Sequence, residues 1–253
     1  MFDLQNSLLK EINKDYKFKI GEKHINSFLK KINNPKLIKE DILILLSDLL
    51  SRNLIYLNNI NRVSNHWFYA LTPKGKLALN SGDYNPYNES SYINRLKKEN
   101  PDISEDILIY TKESLKSFNN QCYLASAVML GVASECAFNE MLYHFSSWLK
   151  AGREQSKFLR FHNNSRLMFI KKFSEFRKSI QVRKPLLPND LSDNMALTFD
   201  AILDLLRIYR NESGHPTGKF ISSNSAYLNL NMFARYLHKL YSFKNFFQLN
   251  QEK

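Results

Sequence analysis

The longest and most apolar helical pattern in the chain covers residues 121–150, QCYLASAVMLGVASECAFNEMLYHFSSWLK. Within it, Glu135 lies in line with Leu124, Val128 and Leu142 at helical spacing, on a stripe that is otherwise apolar. A carboxylate on such a stripe must be paired or must lie at a wet interface, because isolated burial of a charge costs several kcal/mol. The segment therefore predicts a central helix in which Glu135 has a specific partner.

Further helical patterns flank this segment on both sides, over residues 104–119, 155–182, 192–213 and 223–249. Short connections between long helices favour an antiparallel bundle. The chain has only 7 Gly and 7 Pro in 253 residues, which also favours long helices over a turn-rich β fold. We therefore expect residues 104–253 to form one mainly α, antiparallel bundle. Its core and dimer surface would include the late aromatic side chains Tyr227, Phe233, Tyr236, Tyr241, Phe243, Phe246 and Phe247.

The first 80 residues predict a separate domain of three helices, two strands and a closing helix. Asn53 suits the end of the third helix, because asparagine tolerates the left-handed conformation. Thr72 and Pro73 suit the N-cap and the first position of the closing helix. Residues 81–103 are rich in Asn, Ser, Pro and Gly with little periodicity, and predict a linker. The expected helices cover residues 2–14, 23–32 and 39–52, and the expected strands cover 54–57 and 67–71.

This order of elements, closed by YALTPKGKLAL at residues 69–79, resembles the winged helix-turn-helix family over about residues 20–80. The resemblance implies that residues 39–52 correspond to the recognition helix and residues 58–65 to the wing. It makes Lys39, Arg52 and Arg62 the nucleic-acid contacts to expect in this domain.

The side chains expected on the exposed side of residues 39–52 are mostly acidic. Glu40, Asp41 and Asp48 outnumber Lys39 and Arg52 there, and carboxylates repel phosphate. Protein contact or dimerisation is therefore an alternative to DNA binding by this domain.

A second informative stretch is LRIYRNESGHPTGKF, residues 206–220. Gly214 suits a helix end and Pro216 cannot continue a helix. Arg210 and His215 are thus expected to cluster at a helix terminus, with Asn211 beside them. Arg210 also extends the apolar stripe of Phe199, Leu203 and Leu206, where a solvated arginine would not be expected.

This Arg-Asn-x-x-x-His string, in a chain with a long apolar helix and bundle pattern, resembles the HEPN (higher eukaryotes and prokaryotes nucleotide-binding) superfamily over about residues 104–249. The resemblance implies a metal-independent endoribonuclease, typically a dimeric toxin or phage-defence effector, that needs no cofactor. It implies that Arg210, Asn211 and His215 are the catalytic residues. Glu135 then either positions Arg210 beside a phosphate or forms a purely structural ion pair with it.

The chemistry of these side chains agrees with that activity. A neutral histidine can take the proton of an RNA 2′-OH, and a protonated one can give a proton to the leaving 5′-oxygen. Arginine stabilises the charge of the transition state. Because each chain supplies one such histidine, a homodimer with opposed sites is expected. The other histidines lack metal-ligand spacing and are expected to be surface or packed residues: His24, His66, His144, His162 and His238.

The charge balance is 36 Lys and Arg against 24 Asp and Glu, a formal charge of +12, which favours a polyanionic partner such as RNA. Arg207 and Lys219 are the RNA contacts expected near the string. The N-terminus lacks the apolar core of a signal peptide and no membrane span is evident, so a cytoplasmic protein is expected. The resemblance leaves open whether an antitoxin or a defence-complex partner restrains the protein. The alternative is a catalytically silent nucleic-acid-binding regulator or adaptor.

Overall fold

The computed structural model describes residues 4–14, 22–58, 67–79, 84–164, 169–193, 195, 199 and 220–250. Within these ranges the chain is mainly helical with one small two-stranded sheet, which confirms the mainly α fold class. The chain divides into two compact units, residues 1–95 (unit 1) and residues 96–253 (unit 2). No helix in the described ranges combines the length and hydropathy that a bilayer crossing requires.

Unit 1 follows the element order expected from the sequence. The two strands are antiparallel, and Ile55 pairs with Leu71. Apolar side chains of the first three helices and the strands form its core, where Leu8, Ile42 and Leu54 are fully buried. The elements are α1 (Leu4–Lys14), α2 (Glu22–Ile32), α3 (Lys39–Ser51), β1 (Ile55–Asn58), β2 (Phe68–Leu71) and α4 (Pro73–Leu79).

Two local predictions in unit 1 are confirmed. Asn53, which follows α3 closely, has a φ of 54°, in the left-handed region. Thr72 caps α4, because its Oγ1 accepts a hydrogen bond from the backbone N–H of Gly75 at 3.0 Å. The Thr72 hydroxyl also donates to the carbonyl oxygen of Asn53 at 2.7 Å. The cap therefore joins the start of α4 to the end of α3.

The predicted linker over residues 81–103 contains a helix, α5 (Glu89–Glu99). Tyr92 and Leu96 on this helix are fully buried. The polar composition suggested a linker, but one of these polar residues caps the helix. Asn88 Oδ1 accepts a hydrogen bond from the backbone N–H of Ser91 at 3.1 Å. The boundary between the two units falls inside α5 rather than in an extended segment.

Unit 2 contains the long central helix and the C-terminal helix that the sequence predicts. A single helix over residues 155–182 was expected, but two helices, α8 and α9, form instead. Of the helix expected over residues 192–213, most lies outside the described residues. The elements are α6 (Glu105–Asn119), α7 (Tyr123–Trp148), α8 (Arg153–Asn163), α9 (Phe169–Val182), a 3₁₀ turn (Lys184–Leu186), α10 (Asn189–Ser192) and α11 (Ser223–Leu249).

The helices of unit 2 are not antiparallel throughout. The Ser114 hydroxyl on α6 donates to the carbonyl oxygen of Ser126 near the start of α7, as in an antiparallel pair. In contrast, α7 and α11 run parallel, since Tyr236 contacts Ser134 and, about three turns further on, Phe247 contacts Phe145. A parallel pair forms because a long stretch of chain separates the two helices, so the rule of short antiparallel connections does not apply to them.

A cluster of phenylalanine rings fills the centre of unit 2. Phe145 contacts Phe158 and Phe176 edge to face, with ring centroids 5.0 and 4.9 Å apart. The prediction that the late aromatic run contributes to the core is confirmed for its buried members. These are Phe233, Tyr236, Tyr241, Phe243 and Phe247.

Candidate functional site

The predicted catalytic string lies outside the described residues. This holds for Arg210, Asn211 and His215, and for the expected nucleic-acid contacts Arg207, Lys219 and Arg62. The predicted contact between Glu135 and Arg210 therefore stays a prediction. Three of the predicted site residues lie within the described ranges: Glu135, Lys39 and Arg52.

Glu135 is half-buried on α7 and has charged and polar neighbours from two other helices. Lys172 of α9 is 4% exposed. Burial lowers the pKa of Lys172, and the Glu135 carboxylate opposes that shift. Lys172 is therefore an electrostatic neighbour of Glu135 that the sequence did not predict.

Tyr236 of α11 completes this group. Its hydroxyl donates to the carbonyl oxygen of Ser134 at 3.1 Å. Burial raises the pKa of Tyr236 well above its usual value, and the Glu135 carboxylate adds to the increase. The phenol is therefore neutral at physiological pH. Helices α7, α9 and α11 bring together a carboxylate, an ammonium group and a phenol, which we call the Glu135 cluster (Glu135, Lys172 and Tyr236).

Lys172 could have been found from the sequence. It follows Phe169 by three residues and precedes Phe176 by four, and both rings are buried. A lysine in phase with buried rings belongs to the inner face of a helix. The many other cations over residues 155–182 made Lys172 look like one more solvated side chain.

A second polar group joins the start of α6 to α7 and α11. The Lys244 ammonium lies 2.9 Å from a carboxylate oxygen of Asp102 and 3.7 Å from one of Glu140. The Tyr241 hydroxyl donates to Glu140 at 2.8 Å and accepts from the backbone N–H of Ser104 at 3.2 Å. Because each charge has an opposite charge or a hydrogen-bond partner, we interpret the group as a structural clamp.

His144 lies beside this clamp. Burial lowers its pKa, and Lys244 lowers it further, while Glu140 and Asp102 oppose the shift. The imidazole is therefore neutral at physiological pH. Its Nδ1 is buried without a hydrogen-bond partner, so His144 is packed into the bundle as the sequence suggested. Among the residues that the structure describes, no group of three or more His, Cys, Asp or Glu side chains could hold a metal ion.

Arg52 does not lie on an exposed face of unit 1. Its side chain is 8% exposed and donates to Asp48 at 3.0 Å and to Gln5 at 3.2 Å. It also donates to the carbonyl oxygen of Tyr87 at 3.3 Å and lies 3.8 Å from Glu89. Arg52 ties α1, α3 and the start of α5 together, which leaves little of its side chain for the predicted contact with nucleic acid.

The outward face of α3 combines an exposed apolar pair with acidic and polar side chains and carries no cation. Leu43 and Ile44 are 42% and 69% exposed. Glu40 and Ser47 lie on the same face and are also exposed. Lys39 is half-buried at the first position of the helix. This face is therefore poorly suited to phosphate and better suited to an apolar protein surface.

No protein-family model matches the sequence, and comparisons with curated proteins and with solved structures find no match either.

Proposed function

We propose that the protein is a metal-independent endoribonuclease whose catalytic groups are Arg210 and His215, with Asn211 beside them. The observation that carries the proposal is the Arg-Asn-x-x-x-His string at residues 210–215 in a predominantly helical unit. It supplies an imidazole, a side chain that can act as a general acid or base, and a guanidinium that binds phosphate, the two groups that cleavage through the 2′-OH requires. The formal charge of +12 supports a polyanionic substrate.

The reaction is a transesterification within the RNA strand. A neutral His215 takes the proton of the 2′-OH, and the 2′-oxygen forms a bond to the adjacent phosphorus. The bond from phosphorus to the 5′-oxygen breaks, and that oxygen takes a proton from a protonated His215. Arg210 stabilises the charge on the phosphoryl oxygens. The upstream product carries a 2′,3′-cyclic phosphate.

A homodimer supplies both histidine states at once. One copy of His215 acts as the base while the copy from the second chain acts as the acid. We propose that unit 2 forms this dimer and that Glu135 helps to position Arg210 within it. The alternative role of Glu135 is to balance the charge of Lys172, which its opposition to the lowered pKa of Lys172 supports.

The test is cleavage of single-stranded RNA by the purified full chain in EDTA. We expect activity on RNA, none on DNA or 2′-O-methyl RNA, and 2′,3′-cyclic phosphate ends by mass spectrometry. His215→Ala should lower the rate by at least about 10²-fold, the usual contribution of general acid–base catalysis. Arg210→Ala should be equally damaging, because it removes a transition-state contact.

Matched controls lie on α11, where His238 and Arg235 are exposed. His238→Ala and Arg235→Ala should leave the rate unchanged. Cleavage that survives both His215→Ala and Arg210→Ala would identify a contaminating nuclease. A purified dimer that cuts no RNA, with or without phage-derived triggers, would refute the proposed catalysis and favour the silent adaptor.

The biological setting that fits this activity is toxicity or phage defence inside the cell. Expression of the wild-type chain should slow bacterial growth when no partner restrains it. Expression of His215→Ala should not. Equal toxicity of both chains would argue against RNA cleavage as the cause.

For unit 1 we propose protein contact rather than DNA contact. The observation that favours this role is the exposed pair Leu43 and Ile44 on α3, together with the burial of Arg52. An adaptor or dimerisation role for unit 1 is compatible with either a catalytic or a silent unit 2. Gel-shift assays with duplex DNA should show no specific binding, and specific binding that Ile44→Asp abolishes would refute the proposal.

A further inference from the structure

Unit 2 contains a cleft of about 290 Å³ where α7 ends, α8 begins and the 3₁₀ turn follows α9. This volume is near the lower end of the range of small-molecule sites, about 300–1,000 Å³. The side chains that characterise the cleft, here called the α8 cleft, are Trp148, Lys150, Arg153, Glu154, Arg183 and Leu186.

The lining of the α8 cleft is positively charged. Lys150, Arg153 and Arg183 provide three positive charges against the single negative charge of Glu154. The eleven-residue helix α8 begins at Arg153, so the partial positive charge of its N-terminus adds to the field. An anionic ligand is therefore favoured over a neutral or cationic one.

Glu154 offsets the positive charge of only one of the arginines that line the cleft, because its carboxylate pairs with Arg183. Its carboxylate lies 2.6 Å from Nη2 of Arg183 and accepts a hydrogen bond of 2.5 Å from the Ser179 hydroxyl. Burial acts to raise the pKa of Glu154, but the hydrogen bonds from Ser179 and Arg183 outweigh it and lower the pKa. Arg153 is exposed, and none of the carboxylates in the described ranges pairs with it.

The cleft also has an aromatic wall. Trp148 is half-buried, and its ring packs against Phe247 with centroids 5.1 Å apart and against Phe246 at 5.9 Å. These contacts hold the indole in place while part of it lines the cleft. Leu186, which is 64% exposed, adds apolar surface at the same cleft. A flat ring in the ligand would gain contact with both side chains.

We propose that the α8 cleft binds a nucleoside monophosphate unit, with its phosphate on Arg153 and its base against Trp148. An arginine fork binds phosphate oxygens in pairs, and aromatic side chains stack on bases of any sequence. The unit is either a free nucleotide or one nucleotide of an RNA strand. The proposal does not depend on the catalytic roles of Arg210 and His215.

The experiment uses the fluorescence of Trp148 as a reporter within the cleft. The chain has 2 tryptophans, so Trp67→Phe leaves Trp148 as the only one. The full-length variant is titrated with adenosine monophosphate and, separately, with a short 2′-O-methyl oligouridylate, which cannot be cleaved through a 2′-OH. We expect saturable quenching of Trp148 by at least one of these two probes.

Arg153→Ala should raise the Kd by at least about tenfold, as expected for loss of a charge-assisted contact. The matched control is Arg160→Ala, because Arg160 is also exposed on α8 but does not line the cleft. That control should leave the Kd within about twofold. Circular dichroism of each variant verifies that the helical content is unchanged.

Quenching by both probes would support a pocket for a free nucleotide unit, and quenching by the oligonucleotide alone would support a subsite for an RNA strand. Absence of quenching by either probe would overturn the proposal, as would an equal loss in Arg160→Ala and Arg153→Ala. Because binding is measured without cleavage, the ribonuclease proposal and the α8 cleft proposal can be refuted independently of each other. Quenching without RNA cleavage would refute only the ribonuclease, and cleavage without quenching would refute only the α8 cleft.

Discussion

Gly75→Ala should strongly destabilise unit 1. A Cβ atom at this position would lie 1.9 Å from the carbonyl oxygen of Leu54. Close carbon–oxygen contacts in proteins are about 3.3 Å, so one of the two backbones would have to move by more than about 1 Å. The same oxygen accepts a hydrogen bond of 3.0 Å from the backbone N–H of Thr72. Relief of the clash would therefore weaken the junction between the strands and α4.

The size of the effect follows from three contributions. Overpacking costs about 1–3 kcal/mol, and loss of a buried backbone hydrogen bond costs about 1–3 kcal/mol. Replacement of glycine by alanine within a helix stabilises the helix by about 1 kcal/mol. The free energy of unfolding of unit 1 should thus fall by about 3 kcal/mol, which lowers the Tm of a unit of this size by more than about 10 °C.

The assay is urea and thermal unfolding followed by the fluorescence of Trp67, in a Trp148→Phe background that removes the signal of unit 2. The control is Lys76→Ala, an exposed position one residue further along α4, which should change the unfolding free energy by less than about 0.5 kcal/mol. An unchanged unfolding midpoint for Gly75→Ala would refute the close approach of α4 to Leu54.

Three further predictions concern the Glu135 cluster, the half-buried Lys74 of unit 1 and the oligomeric state. Glu135→Gln should lower the unfolding free energy of unit 2 by about 1–3 kcal/mol because Lys172 loses its compensating charge. Lys172→Met in that background should restore most of the lost stability. Additive effects of the two substitutions in urea titrations would exclude an interaction between Glu135 and Lys172. Burial, and secondarily Arg52, lower the pKa of Lys74 to about 8 from its ordinary 10.5. The folded state therefore gives up this proton at a lower pH than the unfolded state, so unit 1 should gain stability from pH 8 to pH 10.5, and Lys74→Met should flatten this rise in thermal melts. Light scattering should give a dimer at micromolar concentration, and a monomer would contradict the composite active site.

Local signals in the sequence predicted much of unit 1. Backbone sterics at Asn53 and capping at Thr72 act within a few residues, so they can be read without knowledge of the fold. The burial and pairing of Arg52 could not be predicted in this way. Its partners Gln5 and Glu89 are distant in sequence, and only the tertiary structure brings them to the end of α3.

In unit 2 the sequence predicted the side of a helix on which a side chain lies better than it predicted how deeply that side chain is buried. Leu124 and Leu142 are five helical turns apart on one side of α7, yet Leu124 is 47% exposed and Leu142 is fully buried. Helical periodicity gives the direction of a side chain, whereas its burial depends on which helices pack at that level. The phase of Lys172 with buried rings indicated the inner face of its helix, but it did not indicate that Glu135 of α7 is its electrostatic neighbour. The proposed catalytic string could be picked out from the sequence because Arg210 and His215 are close together and chemically distinctive.

The phenylalanine core of unit 2 has a consequence for synthesis on the ribosome. Its rings come from positions as early as Phe138 and as late as Phe247, and Phe145 contacts both Phe158 and Phe247. While the chain is being translated, α7 emerges long before α11, its parallel neighbour. The core cannot close until Phe243 and Phe247 have left the exit tunnel, so unit 2 stays loosely packed for most of its translation. Any activity of unit 2 that needs the closed core is therefore gained only after the ribosome has read past these codons.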